Sequence, residues 1–235
     1  MDNKLVYDEI ASHTKQLLPE HKKVIEWVGK DKKVLEVACH SGYVSARLQQ
    51  NNCKVTGVEI YEPALQKAKP YLYKSVLGDI EKEETWNKIS DEKFDVILFM
   101  HILEHLIDPE TILAKAKLLL NENGIVIICL PNINNWVNRW DIFKGNFNYT
   151  SDGVMDKTHF KFYNFFTAKK MVEAAGYNVL EYSGVSWKVR FKILPDRWIG
   201  RKINDFYTSI LHKILSPNLT DKIIMFKVGM NKLHQ

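Results

Sequence analysis

The sequence has few of the residues that mark secreted, metal-scaffolded or low-complexity proteins. Its 235 residues include three cysteines, eleven glycines and seven prolines. No apolar run approaches the roughly 18 residues that a membrane span needs, and Met1–Lys4 lacks the basic start of a secretory signal. Because Cys39 and Cys129 fall in or beside apolar runs, we expect buried free thiols and no metal site. The expected location is cytoplasmic.

Charge of one sign does not dominate the whole chain, but it is unevenly distributed. Residues 187–235 hold ten Lys/Arg against three Asp/Glu, a net of +7, whereas residues 1–186 have a net of −2. This difference predicts that residues 1–186 bind a small cofactor and that residues 187–235 contact an anionic partner or a membrane face. The alternative is that residues 187–235 form a solvated basic surface. Residues 198–215 have apolar positions at helical spacing and are the candidate for peripheral membrane contact, an internal packing helix being the alternative.

Strand-like and helix-like patterns alternate along the chain, with no repeat or linker, which predicts a single domain over 1–235. Continuous Val/Ile-rich runs separated by helical patterns are typical of a parallel sheet covered on both faces. We therefore predict a doubly wound, mostly parallel seven-stranded α/β sheet whose ligands bind beyond the carboxyl ends of the strands. The alternation of strand-like and helix-like patterns stops over 131–160, and this region is predicted to be an inserted acceptor wall or lid. A basic amphipathic insert is predicted at about 187–220.

The first predicted strand ends in a turn that contains Glu36, Ala38, His40 and Gly42. An acidic residue followed by small residues at alternate positions lets a cofactor approach the backbone closely. This segment resembles motif I of the class I S-adenosylmethionine-dependent methyltransferases, with Ala38 and His40 where that family has glycines. The glycines that a GxGxxG dinucleotide fingerprint requires are missing, so NAD is disfavoured.

The next two predicted strands end in further acidic residues. Glu59 and Ile60 follow the second strand, and Asp79 and Ile80 follow Gly78 at the end of the third. The resemblance implies that Glu59 accepts the ribose hydroxyls, that Asp79 accepts from the adenine amino group, and that Ile80 packs on the ring. Ile60 is included among the cofactor contacts. The alternatives are a solvated carboxylate for Glu59 and a turn residue for Asp79.

The segment Phe94–Leu106 resembles the family's fourth strand and the turn that follows it. The resemblance implies that Met100 and His101 lie beside the methionine part of S-adenosylmethionine. Glu104 and His105 are expected to cap and pack the start of the next segment. Together with the three elements above, this implies the Rossmann-like methyltransferase fold and a methyltransferase activity.

Methyl transfer needs alignment of the acceptor more than activation, because the sulfonium methyl is already reactive. A general base is needed when the acceptor is a hydroxyl or a protonated amine. His159 is the first candidate, with Asp156 as its orienter or substitute, because their segment resembles one in methyltransferases that act on sugars and surface glycans. A purely structural His159 is the alternative. His40 and His101 are further candidates.

The aromatic and Asn-rich insert leads to the prediction of the acceptor. Trp136, Trp140 and Tyr149 can stack on sugar faces. Polar contacts are expected from four neighbours, Asn132, Asn134, Asn135 and Arg139. The leading hypothesis is O-methylation of a sugar, nucleotide-sugar or other small-molecule acceptor. A lipid or quinone methyltransferase at a membrane surface and a non-catalytic cofactor-binding protein of the same fold are the alternatives. Nucleic acid is disfavoured because no RNA-binding module is recognised.

Overall fold

The computed structural model describes residues 17–186 and 216–231. Within them, seven strands form one sheet in the order β3-β2-β1-β4-β5-β7-β6, and β7 alone runs antiparallel to the others. The strands are β1 Lys33–Val37, β2 Lys54–Glu59, β3 Lys74–Leu77, β4 Phe94–Met100, β5 Leu120–Pro131, β6 Tyr177–Ser186 and β7 Asp221–Met230. The predicted seven-stranded, mostly parallel sheet is confirmed.

Helices connect the strands and cover the two faces of the sheet. In chain order they are α1 Pro19–Val28, α2 Tyr43–Gln50, α3 Glu62–Ala68, α4 Glu83–Asn87, α5 Pro109–Leu118, α6 Trp136–Phe143, α7 Phe165–Ala174 and α8 Pro217–Thr220. Two further 3₁₀ turns follow α3 and β4. The helix α6 lies in the region predicted to be an insert.

The central strands are buried on both faces, which explains their continuous apolar sequences. Neighbouring residues of β1 point to opposite sides: Val34 belongs to one apolar cluster and Leu35 to the other. Side chains of α1 and α2 pack in the cluster of Val34, and side chains of α4, α5 and α7 pack in the cluster of Leu35. The layers are therefore those of a doubly wound sheet.

The order of the strands determines where a ligand can bind. The chain moves from β1 to β2 and β3 on one side and then returns to β4 on the other. In open α/β sheets the crevice at such a reversal, beyond the carboxyl ends of the strands, is the usual binding position. Here that crevice lies between the ends of β1 and β4, which carry the predicted cofactor turn and His101.

The three cysteines test the expectation of buried free thiols. Cys39, Cys53 and Cys129 are all buried and unbridged, so the expected free thiols are confirmed.

The side chain of Asp108 caps α5 by accepting from the Thr111 backbone N–H at 3.1 Å. The expectation that Glu104 and His105 cap this segment is therefore wrong, because both side chains are directed elsewhere.

Two further expectations concern membranes. In the part of the chain that the structure describes, no helix has both the length and the apolar character needed to cross a bilayer. Residues 187–215, which include most of the predicted insert 187–220 and the whole of the membrane-contact candidate 198–215, lie outside the described ranges.

Candidate active site

The turn after β1 has an unusual backbone. Ala38, His40 and Gly42 have φ values of 57°, 47° and 75°, so every second residue is in the left-handed region that glycine adopts most easily. Each non-glycine residue in that region costs about 1 kcal/mol or more. Gly42 also has no room for a side chain, because an added Cβ would lie 2.9 Å from Ala68 Cα. The alternation explains why the resembled family has glycines here.

Glu59 connects this turn to the end of β2. Its Oε2 accepts from the His40 backbone N–H at 2.8 Å, and its Oε1 accepts from the Tyr61 backbone N–H at 2.9 Å. The side chain is buried. A carboxylate held by both oxygens is pre-oriented, and each oxygen keeps a second lone pair for another donor. This geometry does not support a freely solvated carboxylate and suits a bidentate contact with two hydroxyls.

Glu36 lies beneath the turn. It is buried, and its Oε2 accepts a hydrogen bond from the Ser45 hydroxyl of α2. Burial raises the pKa of Glu36 to about 7, against the opposing effect of the Ser45 hydrogen bond, and the negative charge of Glu59 adds to the rise. Glu36 therefore supports the turn from below and is not exposed to a ligand.

The remaining predicted contacts beside β2 and β3 differ in exposure. Asp79 is half-buried, and its Oδ1 accepts from the Glu81 backbone N–H at 2.9 Å, the arrangement of an Asx turn. Ile80 is 5% exposed and packs in the apolar cluster of Leu35. Ile60 is 61% exposed at the end of β2. The cofactor roles of these residues stay predictions.

The end of β4 bends sharply at His101, whose φ is 52°. The His101 backbone N–H donates to Cys129 O of β5 at 3.0 Å, and its ring lies with Nδ1 3.7 Å from Glu104 Oε1. Burial lowers the pKa of His101, but the neighbouring Glu104 carboxylate outweighs it, and the net change is a raised pKa. Met100 precedes it and is half-buried. Both residues therefore flank the crevice between β1 and β4.

His159 and Asp156 are both brought to this end of the sheet, where the His159 backbone N–H donates to Asp156 O at 3.1 Å. His159 Nδ1 lies 3.1 Å from Val154 O, and burial lowers its pKa. The Asp156 carboxylate is fully buried, and its Oδ1 accepts from the backbone N–H and the hydroxyl of Thr158 at 2.8 and 2.7 Å. Asp156 thus orients Thr158, whose carbonyl and hydroxyl oxygens both lie 3.2 Å from Nδ1 of His105.

A cluster of Glu104, His105 and His159 results from this arrangement. One potential ligand atom of each residue lies within 4.8 Å of the other two. The rings of His105 and His159 meet edge to face, with centroids 4.7 Å apart. Glu104 is 1% exposed, and its Oε2 has no hydrogen-bond partner among the residues that the structure describes, whereas its backbone oxygen accepts from Phe160 N at 2.9 Å. Sequence spacing alone does not indicate this cluster, because His159 lies far along the chain from the other two.

The asparagines of the insert hold the backbone in place. Asn132 and Asn135 are fully buried; the Asn132 amide donates to Asp221 O at 2.7 Å, and the Asn135 side chain caps α6. Arg139 Nε donates to Asn134 O at 2.9 Å. The expectation that Asn132 and Asn135 contact an acceptor is therefore wrong, since their side chains are used inside the protein.

The aromatic residues of the insert are, by contrast, exposed. Trp140 and Phe143 stack with centroids 5.4 Å apart and are 55% and 79% exposed. With Trp136, Arg139 and Leu219 they line an open, mostly apolar cavity of about 540 Å³. We call the side chains of Trp136, Trp140 and Phe143 the aromatic wall. A surface of this kind suits a flat apolar ligand better than a strongly hydrated one.

S-adenosylmethionine fits the residues at the ends of β1 and β2. The turn at Ala38, His40 and Gly42 has a left-handed backbone that lies against the Glu59 carboxylate, and Glu59 offers two oriented oxygens. These features would hold the ribose and the methionine part, and the cofactor would supply an activated methyl group. The His40 backbone N–H is held by Glu59, and the Nδ1 atom of its side chain lies 3.3 Å from the Ser41 hydroxyl.

Comparisons with known proteins agree with this assignment. Residues 6–182 match the family model described as a methyltransferase domain. The chain is 33% identical over 121 residues to a ubiquinone biosynthesis O-methyltransferase of Pasteurella multocida, covering 46% of this chain and 49% of the relative. It is 32% identical over 106 residues to the enzyme of that name from Thiobacillus denitrificans, covering 44% and 46%. The chain thus spans about half the length of these relatives.

Solved structures show the same fold. A SAM-dependent methyltransferase from Archaeoglobus fulgidus is 16% identical and superimposes with a TM-score of 0.62 over 90% of this chain and 91% of its own. Magnesium protoporphyrin IX methyltransferase from Synechocystis, solved with bound SAH, is 12% identical with a TM-score of 0.62 over 97% and 96%. The family match, the strand order and the cofactor turn agree, and this chain belongs to the class I S-adenosylmethionine-dependent methyltransferases.

Proposed function

We propose that this protein transfers the methyl group of S-adenosylmethionine to a phenolic oxygen of a quinone precursor or a chemically similar aromatic acceptor. The observation that carries the proposal is the aromatic wall, an exposed apolar surface on α6 directly after the carboxyl end of β5. Ligands of this fold bind at that end of the sheet. The names of the two relatives, ubiquinone biosynthesis O-methyltransferases, support the same acceptor class.

A sugar acceptor is less well supported. Sugar binding relies on polar side chains that reach the ligand, and Asn132 and Asn135 are buried and engaged with backbone. Among the four polar residues that were candidates, Arg139 is the one whose side chain is exposed beside Trp140. The quinone alternative therefore replaces the sugar hypothesis as the leading one. Peripheral membrane contact through 198–215, residues that lie outside the described ranges, stays a prediction.

The reaction needs an acceptor oxygen in line with the methyl carbon and the sulfur. The turn at Ala38–Gly42 and Glu59 would hold the cofactor, and the aromatic wall would hold the flat acceptor by stacking. His159, His101 and His105 are titratable groups at this end of the sheet that can take part in proton movement at the phenol. The remainder of the rate acceleration is expected from excluding water.

The test is transfer of radiolabelled methyl from S-adenosylmethionine to a panel of purified acceptors. The panel contains a short-chain dihydroxybenzoate, a nucleotide sugar and a phospholipid vesicle. We expect product from the benzoate at a kcat/KM at least a hundredfold above the nucleotide sugar. Trp140→Ala should raise the KM for the benzoate about tenfold, since stacking on an aromatic side chain contributes about 1 kcal/mol or more.

Two variants serve as controls for this test. Tyr73→Ala removes an equally exposed aromatic ring, 65% exposed, just before β3 at the opposite end of the strands, and should leave the KM unchanged. Glu59→Gln should weaken the affinity for S-adenosylmethionine at least tenfold in calorimetry, because the carboxylate is the stronger acceptor. Faster transfer to the nucleotide sugar than to the benzoate would contradict the proposed acceptor while leaving the cofactor assignment intact.

A further inference from the structure

The cluster of Glu104, His105 and His159 has the chemistry of a metal site. Two imidazoles and one carboxylate form a common protein ligand set for a catalytic zinc ion, which keeps a further position open for water or substrate. A lone acidic group or histidine is common in proteins without a metal. Here three side chains from two distant segments converge, with a ligand atom of each within 4.8 Å of the others.

The hydrogen bonds of the two histidines determine which nitrogen each ring can offer. His105 Nδ1 lies 3.2 Å from Thr158 O, and His159 Nδ1 lies 3.1 Å from Val154 O. A backbone carbonyl can only accept, so Nδ1 of each ring carries the proton and Nε2 carries the lone pair. Metal-binding histidines in proteins almost always have this arrangement, in which the second nitrogen donates to a carbonyl or carboxylate.

Glu104 supplies a second, independent observation. The residue is 1% exposed, and within the described ranges 17–186 and 216–231 its Oε2 has no hydrogen-bond partner. An unpartnered carboxylate oxygen in such a position is costly, because burial removes the water that would otherwise solvate it. A cation bound between Glu104 and the two Nε2 atoms would satisfy this oxygen. Ligand atoms that lie about 2.1 Å from a zinc ion are roughly 3.5 Å from one another. Side-chain movements of about 1 Å would bring the ligand atoms of the three residues to that separation.

We propose that Glu104, His105 and His159 bind one divalent transition-metal ion of the zinc type, and that this ion holds the acceptor oxygen. Imidazole ligands favour zinc, cobalt and nickel over magnesium or calcium. The site lies beside the cofactor crevice, since Glu104 Oε1 is 3.7 Å from Nδ1 of His101 at the end of β4. The first part concerns binding alone; the second rests on the proposed function.

The ion gives a way to form the nucleophile at neutral pH. A hydroxyl bound to the metal in its open position loses its proton to water more easily than the free phenol does. An electron pair of the resulting oxygen forms the new bond to the methyl carbon. The carbon–sulfur bond breaks with its pair remaining on sulfur, which leaves S-adenosylhomocysteine. In this arrangement His159 acts as a ligand and not as the general base.

Metal binding to the full-length protein tests the inference directly. After chelator treatment and dialysis, the folded protein is titrated with Zn²⁺ in a calorimeter and with Co²⁺ in a spectrophotometer. We expect one ion per chain and visible absorption bands of four- or five-coordinate cobalt. Glu104→Gln, His105→Gln and His159→Gln should each weaken the Zn²⁺ affinity at least a hundredfold and change the cobalt spectrum.

His21→Gln is the matched control, because it removes an imidazole of α1 that lies close to His101 but outside the cluster. It should retain the stoichiometry and the affinity of the wild type. Circular dichroism shows whether each variant is folded. If one of the three variants does not fold, the other two still test the inference. Absent binding, or equal affinity in the wild type and all three variants, overturns the inference.

Activity measurements separate this inference from the proposed function. Methyl transfer to the benzoate that persists at full rate in chelator, with no metal bound, refutes the metal site and leaves the proposed function intact. One bound ion without transfer to any phenolic acceptor supports the site and refutes the acceptor class. Rescue of chelated enzyme by Zn²⁺ or Co²⁺, and not by Mg²⁺, supports both.

Discussion

The cofactor side and the acceptor side of the site are held by contacts that differ in how far apart along the chain the contacting residues lie. On the cofactor side, the turn Ala38–Gly42 and Glu59 are joined by backbone N–H groups, and the partners lie 19 residues apart on neighbouring strands. On the acceptor side, His105 and Thr158 meet across 53 residues of chain. The first contact joins the ends of two neighbouring strands, whereas the second joins the turn after β4 to the distant insert. Substitutions on the cofactor side should therefore affect folding, and those on the acceptor side mainly turnover.

The largest effect is expected from Gly42→Ala. The substitution places a side chain at a φ of 75° and a Cβ 2.9 Å from Ala68 Cα. Left-handed strain and overpacking against α3 together should reduce the free energy of unfolding by about 4 kcal/mol, measured by urea denaturation. Gly153→Ala is the control, because its φ is 79° and an added Cβ meets nothing within 4 Å. Equal losses in both variants would show that packing beneath the turn is unimportant.

The second largest effect concerns the pH dependence of Glu36. A folded-state pKa of about 7 against the ordinary pKa of 4.5 for this carboxyl means that the native state binds the proton more tightly. The stability that this group contributes is fully present below pH 4.5 and is lost as the pH rises through 7. Glu36→Gln keeps an acceptor for Ser45 and no longer ionises. Its stability relative to wild type should rise by about 3 kcal/mol between pH 4.5 and 8. A difference that does not change with pH would refute the assignment.

The smallest effect, and the one that probes the acceptor side, is expected from Thr158→Val. This isosteric change removes the hydroxyl that links Asp156 to His105 but keeps the Thr158 carbonyl. With His105 less firmly oriented, kcat for the benzoate should fall about tenfold while the calorimetric affinity for S-adenosylmethionine changes less than twofold. A parallel fall in cofactor affinity would show that the two sides are not independent.

The same contrast explains what the sequence could predict. The seven-stranded fold and the cofactor turn follow from local patterns, because each motif sits where one strand ends, whereas the order of the strands was not predicted. The sequence also located His159 and Asp156 near the site, and their catalytic roles stay predictions, but it did not indicate which neighbours hold Asp156. Its carboxylate binds Thr158, and the sequence has no periodic signal for a contact between an insert and the turn after β4.

The role of the asparagines was also beyond sequence reasoning. Asn in a segment without regular structure is equally consistent with ligand binding and with backbone support. Only the burial of Asn132 and Asn135 distinguishes the two. Glu104 presents the same difficulty: its spacing fits a helix cap, and its buried, unpartnered oxygen is visible only in three dimensions.

One anchoring feature of the insert has a practical consequence. The Asn132 side chain holds the start of the segment on the backbone of Asp221, and the backbone oxygen of Glu104 accepts from Phe160 and Lys161 at its end. Neither anchor depends on the aromatic residues between them. We therefore expect that residues 136–149 can be replaced by the corresponding loop of another methyltransferase. Such a replacement would test new acceptors while the cofactor-binding sheet stays unchanged.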